Sequence, residues 1–141
     1  MTHSILVVCL GNICRSPTAE VVLRAHLPGA RIDSAGTGDW HVGKPPYPPA
    51  IAAAEARGYD LTPLRARQVT RADFEDFDLV LAMDAENLAD LRDLAPEADN
   101  IELFRAPVGG GPVPDPYYTE DFDGALDLIE EAAEAWAKRL R

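Results

Sequence analysis

The chain opens with an apolar run that passes through a short loop into a helix start. Residues 4–9 are apolar and rich in β-branched side chains, which is typical of a strand buried inside a parallel sheet. Ser16 and Pro17 then favour a helix start, because serine suits the capping position and proline the first helical position. A buried strand followed directly by a helix is the repeating unit of α/β proteins, so this stretch limits the fold class more than any other.

The same alternation of strand and helix continues along the chain. Four segments predict strands, at residues 4–9, 30–35, 78–83 and 101–104. Further segments predict helices, at residues 17–26, 49–57, 70–74, 85–94 and 119–140. We therefore expect a three-layer α/β fold, with a four-stranded parallel sheet and helices on both faces. The length of 141 residues fits a single domain, residues 1–141.

Two long segments, residues 36–49 and 105–119, are rich in glycine and proline and predict loops. Long loops in small domains are usually functional. Ligands of parallel sheets bind beyond the carboxyl ends of strands, at the point where the strand order reverses. The opening loop and residues 105–119 both follow strands, so we expect the functional site at this edge of the sheet.

The charge balance argues against some classes of partner. The chain has 24 acidic and 13 basic residues and a formal net charge of -11, whereas nucleic-acid-binding proteins usually present a basic face. The apolar run of residues 5–10 is too short to span a membrane, and no basic segment precedes it as in a signal peptide. Both cysteines, Cys9 and Cys14, lie in the opening stretch, which favours reduced thiols in a cytoplasmic protein over a disulfide scaffold.

Cys9 and Arg15 are separated by five residues at the junction of strand, loop and helix. A loop that turns there directs backbone N–H groups to one point above the helix N-terminus, which suits a tetrahedral dianion. The guanidinium of Arg15 can hold two anion oxygens at once, and the same positive field favours the thiolate of Cys9. We therefore interpret the loop as a phosphate socket with a nucleophile. In the alternative interpretation, Cys9 is a small buried hydrophobe and Arg15 lies on the surface.

The stretch CLGNICRSPTAE resembles the signature of the low-molecular-weight protein tyrosine phosphatases. Further segments match in the same order: DSAGTGDW at residues 33–40, ARQVT at 66–70, FDLVLAMDAENL at 77–88 and DPYY at 115–118. The resemblance implies a four-stranded parallel α/β fold that works without a cofactor or metal. It also implies that the substrate is a phosphotyrosine protein or an aryl phosphate, hydrolysed through a cysteinyl-phosphate.

By this resemblance, Cys9 is the nucleophile and Arg15 holds the phosphoryl group. Asp115 would protonate the leaving phenolate and then act as base for the attacking water. From the residues alone, an aspartate before proline is more often a turn residue. The rest of the loop would bind the phosphate through Leu10, Gly11, Asn12, Ile13, Cys14 and Ser16.

Other matched positions would shape or support the pocket. Trp40, Tyr117 and Tyr118 would flank the aromatic ring of the substrate at the pocket mouth. Ser34, together with the loop asparagine, would hold the phosphate loop in a strained conformation. Asp84 would lie behind the loop, although it could equally cap the following helix.

We expect a second role for Ser16 and consider one for Cys14. Ser16 is expected to cap the helix and also to hydrogen-bond the Cys9 thiolate. Cys14 is not needed for hydrolysis, and a cysteine in such a position is usually inert packing. The resemblance implies instead that Cys14 forms a reversible disulfide with Cys9 after oxidation.

Three features depart from the family pattern. Many members have Ser-His before the ARQ segment, whereas residues 62–65 are Thr-Pro-Leu-Arg here, which calls the rigidity of the loop into question. Tyr47 stands where the family often has aspartate, so the rim is expected to select substrates differently. His3, His26 and His41 match no catalytic residue, and we expect each of them at the surface or at a helix end.

Two other functions fit the same loop. Some arsenate reductases share the fold, but the thioredoxin-coupled kind needs two further cysteines and none follows Cys14. A reductase that uses a small-molecule thiol remains open, although DPYY favours an ester whose leaving group needs an acid. A phosphotyrosine-binding module without turnover would require neither Cys9 nor Asp115.

Overall fold

Four parallel strands form the centre of the molecule in a computed structural model that describes residues 3–140. The strands are β1 Ser4–Cys9, β2 Arg31–Gly36, β3 Leu79–Ala82 and β4 Ile101–Leu103. The helices are α1 Arg15–His26, α2 Pro48–Glu55, α3 Asp73–Asp76, α4 Ala85–Leu94, α5 Pro116–Thr119 and α6 Phe122–Leu140. The predicted α/β fold with a four-stranded parallel sheet is confirmed.

The order of the strands places the opening loop at the middle of the sheet. The order is β2-β1-β3-β4, so β1 pairs with β2 on one side and with β3 on the other. The chain order therefore reverses between β1 and β3. Because the strands are parallel, the segments that follow β1 and β3 emerge at the same edge, which is where parallel sheets bind ligands.

Side chains of β1 alternate between the two faces of the sheet, as a strand period of two requires. Ile5 and Val7 belong to a buried cluster that includes residues of α1 and α6. Leu6 and Val8 belong to a second buried cluster, which includes residues of α3 and α4. On the α6 side, the indole N–H of buried Trp136 donates to a backbone carbonyl at 2.6 Å. Helices thus cover both faces of the sheet, and β1 is buried throughout its apolar length.

The ends of two helices differ from those expected. Arg15 is already helical, and the capping position is Cys14, which makes no side-chain cap hydrogen bond. The prediction that Ser16 caps α1 is therefore wrong, because the serine lies inside the first turn. The last helix begins at Phe122 rather than at residue 119, since the preceding residues form the separate short helix α5.

The segment predicted as one loop, residues 105–119, contains two short helical turns, Ala106–Val108 and α5. Asp115 caps α5 and Pro116 is its first residue, so the start of this helix is determined by residues within the segment itself. No helix in the part of the chain that the structure describes is both long enough and apolar enough to cross a membrane.

Candidate active site

Residues 10–14, which we call the phosphate loop, join β1 to α1 at the carboxyl edge of the sheet. Asn12 has a φ of 56°, in the left-handed region that asparagine tolerates better than most residues. No acceptor among residues 3–140 receives the backbone N–H groups of Gly11, Ile13 or Cys14. These donors immediately precede the N-terminus of α1, so the loop has the free N–H groups and the helix dipole that an anion requires.

The side chain of Asn12 makes three hydrogen bonds that hold the phosphate loop. Its amide nitrogen donates to Ser16 Oγ at 2.8 Å and to Ser34 Oγ at 3.0 Å. Its carbonyl oxygen accepts the backbone N–H of Arg67 at 3.0 Å, and the Arg67 guanidinium forms ion pairs with two carboxylates. All polar atoms of the Asn12 side chain are therefore engaged, although the segment before ARQ lacks the family histidine.

The thiol of Cys9 is buried at the end of β1. Its sulfur lies 3.0 Å from Ser16 Oγ and accepts the backbone N–H of Asn12 at 3.3 Å. Both groups can donate to a thiolate, because a hydroxyl and an N–H are hydrogen-bond donors. Ser16 thus contacts Cys9 as the sequence predicted, and this contact takes the place of the expected helix cap.

Arg15 is only 3% exposed and its guanidinium is held from two sides. Nη1 donates to Asp84 Oδ2 at 2.7 Å and to the Val113 carbonyl at 3.0 Å. Nη2 lies 3.6 Å from Asp115 Oδ2. Burial alone would lower the pKa of Arg15, but the negative charges of Cys9, Asp84 and Asp115 outweigh burial and raise it. The arginine is therefore a fixed, permanent cation beside the phosphate loop.

The two acidic residues near Arg15 each use one oxygen for a helix cap. Asp84 Oδ1 accepts the Asn87 N–H at the start of α4, so this residue both caps a helix and lies behind the catalytic loop. Asp115 Oδ1 accepts the Tyr117 N–H at 3.1 Å at the start of α5. The turn role and the site position of Asp115 are thus compatible, since its other oxygen faces Arg15.

A pocket of about 270 Å³ opens above the phosphate loop. Its mouth is aromatic, since Trp40 is 67% exposed and Tyr118 is 73% exposed. The ring of Tyr117 lies between those of Tyr118 and Tyr47, and its centroid is 5.3 Å from the first and 5.2 Å from the second. Tyr47, the departure from the family pattern, therefore supports this wall from behind. The residues that line the pocket are Cys9, Leu10, Gly11, Ile13, Cys14, Arg15, Trp40, His41, Asp115, Tyr117 and Tyr118.

The structure thus brings together most of the residues singled out from the sequence. Asn12, Ser16 and Ser34 are buried, do not line the pocket, and form the hydrogen-bonded layer behind it. Cys14 lines the pocket but is itself buried, and both cysteines are free thiols. Burial, together with the nearby charges of Asp115 and Cys9, raises the pKa of the Cys14 thiol to about 12.

Three residues of the site were missed by the sequence analysis. His41 is partly exposed, as expected of a surface position, but it lies in the pocket wall against Gly11, which the sequence did not indicate. A Cβ on Gly36 would lie 2.7 Å from the Leu10 carbonyl oxygen, so only glycine fits beside the phosphate loop. Glu20 is 2% exposed and accepts the Ser34 hydroxyl at 2.6 Å, which extends the layer behind the loop. Of these three residues, only His41 could have been recognised from the sequence, because it directly follows Trp40, a predicted site residue.

The other two histidines lie where the sequence placed them. His26 is the last residue of α1, and its Nδ1 is 2.9 Å from the Val22 carbonyl. His3 Nε2 lies 2.8 Å from the Leu140 carbonyl. Within residues 3–140, no group of three or more His, Cys, Asp or Glu side chains is arranged to hold a metal ion.

Comparison with protein families identifies one match, the low molecular weight phosphotyrosine protein phosphatase family, over residues 4–141. The chain is 40% identical over 142 residues to the low molecular weight protein-tyrosine-phosphatase YfkJ of Bacillus subtilis. That alignment covers 93% of this chain and 91% of the relative.

Solved structures with the same fold include two close neighbours. The crystal structure of YfkJ from Bacillus subtilis superposes with a TM-score of 0.93 at 37% identity, over 99% of this chain and 95% of that one. Vibrio vulnificus Wzb in complex with benzylphosphonate superposes with a TM-score of 0.92 at 40% identity, over 97% and 98% of the two chains.

Proposed function

The chain belongs to the low molecular weight phosphotyrosine protein phosphatase family, and on that premise we propose how its own residues hydrolyse a phosphotyrosine ester. Cys9 is the nucleophile, Arg15 binds the phosphoryl group, and Asp115 is the general acid and base. The observation that carries this proposal is that all three line one pocket above a loop with free N–H groups. Neither a structural thiol nor a binding module would require that combination.

In the first step, Cys9 Sγ attacks phosphorus and forms an S–P bond while the bond from phosphorus to the tyrosine oxygen breaks. Asp115 gives its proton to the leaving phenolate, a type of assistance that typically contributes 10²–10⁴-fold. The loop N–H groups and the Arg15 guanidinium stabilise the charge on the three equatorial oxygens. The Asp84 ion pair at 2.7 Å keeps the guanidinium in position throughout.

In the second step, water attacks the phosphorus of the cysteinyl-phosphate and the S–P bond breaks. The Asp115 carboxylate accepts the proton from that water and so returns to its acid form. Phosphate leaves and the Cys9 thiolate is restored. The Ser16 hydroxyl, 3.0 Å from Cys9 Sγ, stabilises the thiolate as a leaving group.

The pocket favours an aryl phosphate over an alkyl phosphate. Trp40 on one side and Tyr117 and Tyr118 on the other offer aromatic faces to a phenyl ring. The Vibrio vulnificus neighbour is in complex with benzylphosphonate, a ligand that joins an aromatic ring to a phosphonate, which supports an aryl phosphate as the substrate here. The protein substrate is thus one that presents phosphotyrosine, and an acidic chain of net charge -11 is not suited to nucleic acid.

We further propose that residues 1–141 act as one catalytic domain in the cytoplasm. The mechanism needs Cys9 as a free thiolate, and a reducing compartment keeps it so. Both cysteines are free in the structure, which supports this location.

Turnover of a phosphotyrosine peptide and of para-nitrophenyl phosphate in the presence of EDTA tests the proposal. We expect hydrolysis that vanadate inhibits, no turnover by Cys9→Ser, and loss of both binding and turnover in Arg15→Ala. Asp115→Asn should slow aryl esters by about 10²-fold or more, and less as the leaving group becomes more acidic. An Asp115→Asn effect that is independent of the leaving-group pKa would assign the acid to another residue.

A further inference from the structure

A second cavity borders the catalytic pocket. This groove has a volume of about 510 Å³ and shares two wall residues with the pocket, Leu10 and Trp40. Its other walls come from the segment after β2, from the ARQ segment and from α4. These walls include Val69 of the ARQ segment and Asp90 and Asp93 of α4. Because Leu10 and Trp40 belong to both cavities, the groove is within reach of residues next to a phosphotyrosine bound in the pocket.

The walls of the groove combine apolar surface with two carboxylates. Leu10, Val69 and Trp40 provide apolar and aromatic surface near the pocket. Asp90 and Asp93 are three positions apart on α4, so their side chains lie on the same face of that helix. Both carboxylates are exposed, and neither forms an ion pair with any basic residue that the structure describes.

Asp90 and Asp93 have no cationic partner in the described part of the chain, and their negative charges disfavour binding of a dianion in the neighbouring pocket unless a cation binds beside them. The substrate phosphate approaches an already acidic protein, and each added negative charge near the pocket weakens its binding. A lysine or arginine of the substrate would remove this repulsion. Its aliphatic stem fits the apolar walls while its charged end reaches the carboxylates, and a cation can also stack on the Trp40 ring.

We propose that this groove is a specificity subsite that binds a basic side chain close to the phosphotyrosine of the polypeptide substrate. The inference rests on the proposed function, because it assigns substrate selectivity to the same catalytic site. Charge complementarity and continuity with the catalytic pocket carry it. The substrate class is therefore a phosphotyrosine polypeptide with a lysine or arginine near the phosphorylated residue.

The test is a set of matched phosphotyrosine peptides with neutral flanks. Each carries one lysine, or one acetyl-lysine of nearly the same length, at a position from three residues before to three residues after the phosphotyrosine. We expect the wild type to prefer lysine over acetyl-lysine by roughly three- to tenfold in kcat/KM at one position or two adjacent ones. The preference should decrease as salt is added, because the carboxylates are exposed.

Variants distinguish an effect of the groove carboxylates on the lysine preference from an effect of the protein's overall negative charge. Asp90→Asn/Asp93→Asn should reduce the lysine preference to less than about twofold. It should keep the kcat for para-nitrophenyl phosphate and should not raise the KM, because it removes negative charge near the dianion site. Asp99→Asn/Glu102→Gln removes the same charge from exposed residues that line neither cavity, and it should keep the preference. Asp90→Lys/Asp93→Lys should favour glutamate at the position where the wild type favours lysine.

Two results would overturn the proposal while the enzyme remains a phosphatase. One is a lysine effect of equal size at every position, which would indicate general attraction to an acidic protein. The other is a positional preference that Asp90→Asn/Asp93→Asn leaves unchanged. If instead no phosphotyrosine peptide is hydrolysed by the wild type, the proposed function itself fails.

Discussion

Cys14 is the buried thiol that the hydrolytic mechanism does not use. With its pKa raised to about 12, it stays protonated at neutral pH and does not compete with Cys9 as a nucleophile. Peroxide would convert the Cys9 thiolate to a sulfenic acid with release of water or hydroxide. The Cys14 sulfur can then displace the sulfenic oxygen as water and form a disulfide. Only the four residues of the loop from Leu10 to Ile13 separate the two cysteines.

We expect peroxide-inactivated wild type to regain activity with dithiothreitol, and Cys14→Ala to lose it largely irreversibly. The share that recovers should rise with pH between about pH 6.5 and 8.5, because more Cys14 becomes thiolate as the pH approaches its raised pKa. Activity after peroxide and then dithiothreitol is the measurement. Equal recovery of the two proteins would leave Cys14 a packing residue.

Glu20 is a carboxylate with almost no access to solvent. Burial raises its pKa, and the Ser34 hydrogen bond and the Arg24 cation offset this only in part. A carboxyl whose pKa is higher in the folded state binds its proton more tightly there. The free energy of unfolding therefore falls as the pH rises from the unfolded pKa to the raised folded pKa. Ionised Glu20 thus lowers the stability at neutral pH.

Glu20→Gln removes that charge and keeps an oxygen that can accept the Ser34 hydroxyl. We expect the stability of the variant relative to wild type to increase between pH 4.5 and pH 7.5, by about 1.4 kcal/mol for each unit of pKa shift. Urea unfolding at several pH values measures this difference, with the exposed Glu102→Gln as control. If the difference in the free energy of unfolding between the variant and the wild type does not change with pH, ionisation of Glu20 does not destabilise the folded protein.

At the scale of single residues, the sequence alone indicated Cys9 and Arg15, because their spacing has a direct chemical meaning. Asp115 needed the family resemblance, since one carboxylate among 24 acidic residues has no local signature. No feature of the sequence identifies Glu20 as a buried residue behind the phosphate loop. Its hydrogen-bond partner, the Ser34 hydroxyl, reaches it only once β2 is paired beside β1.

Among the structural elements, β2 and the phosphate loop are closely packed at Gly36. An alanine there would place its Cβ 2.7 Å from the Leu10 carbonyl oxygen and 3.2 Å from the Asn12 nitrogen, and these are backbone atoms. The loop would have to shift, and misplacement of a catalytic group by about 1 Å can cost about 10²-fold. We therefore expect Gly36→Ala to reduce kcat/KM by at least tenfold and to weaken phosphate inhibition.

Gly29→Ala provides the control for that substitution, because nothing lies within 4 Å of its added Cβ. We expect its kcat/KM to match that of the wild type. The melting temperature of both variants distinguishes a loop effect from unfolding. A Gly36→Ala enzyme with normal kcat/KM and normal phosphate inhibition would contradict the close packing described here.

The elements themselves were largely predictable, whereas their ends were not. Ser16-Pro17 has the letters of a helix start, but α1 begins at Arg15 because the serine hydroxyl contacts Cys9 and Asn12 instead. The sequence predicts a loop where the four-residue helix α5 lies, since a single turn has no periodicity to detect. A tertiary contact thus sets the start of α1, whereas α5 is formed by its own cap, and both lie at the site.

For the whole molecule, strand and helix alternation predicts a parallel sheet but not the order of its strands. The reversal between β1 and β3 brings Asp84 to the phosphate loop, 69 positions from Arg15 in sequence. The same arrangement places the Arg15 guanidinium, the free N–H groups of the phosphate loop and the N-terminus of α1 at one pocket of a protein whose net charge is -11. This local field, rather than the overall charge, is what admits a phosphate dianion.

Detection of the covalent intermediate tests the central claim most directly. A phosphotyrosine peptide is mixed with the enzyme, quenched within milliseconds and digested, and the phosphorylated residue is located by mass spectrometry. We expect one phosphate on Cys9, a burst of tyrosine peptide equal to the enzyme concentration if the second step is slower, and no phosphoenzyme in Cys9→Ser. Cys14→Ala should form it as the wild type does. Phosphate found on another residue, or undiminished turnover by Cys9→Ser, would contradict the account.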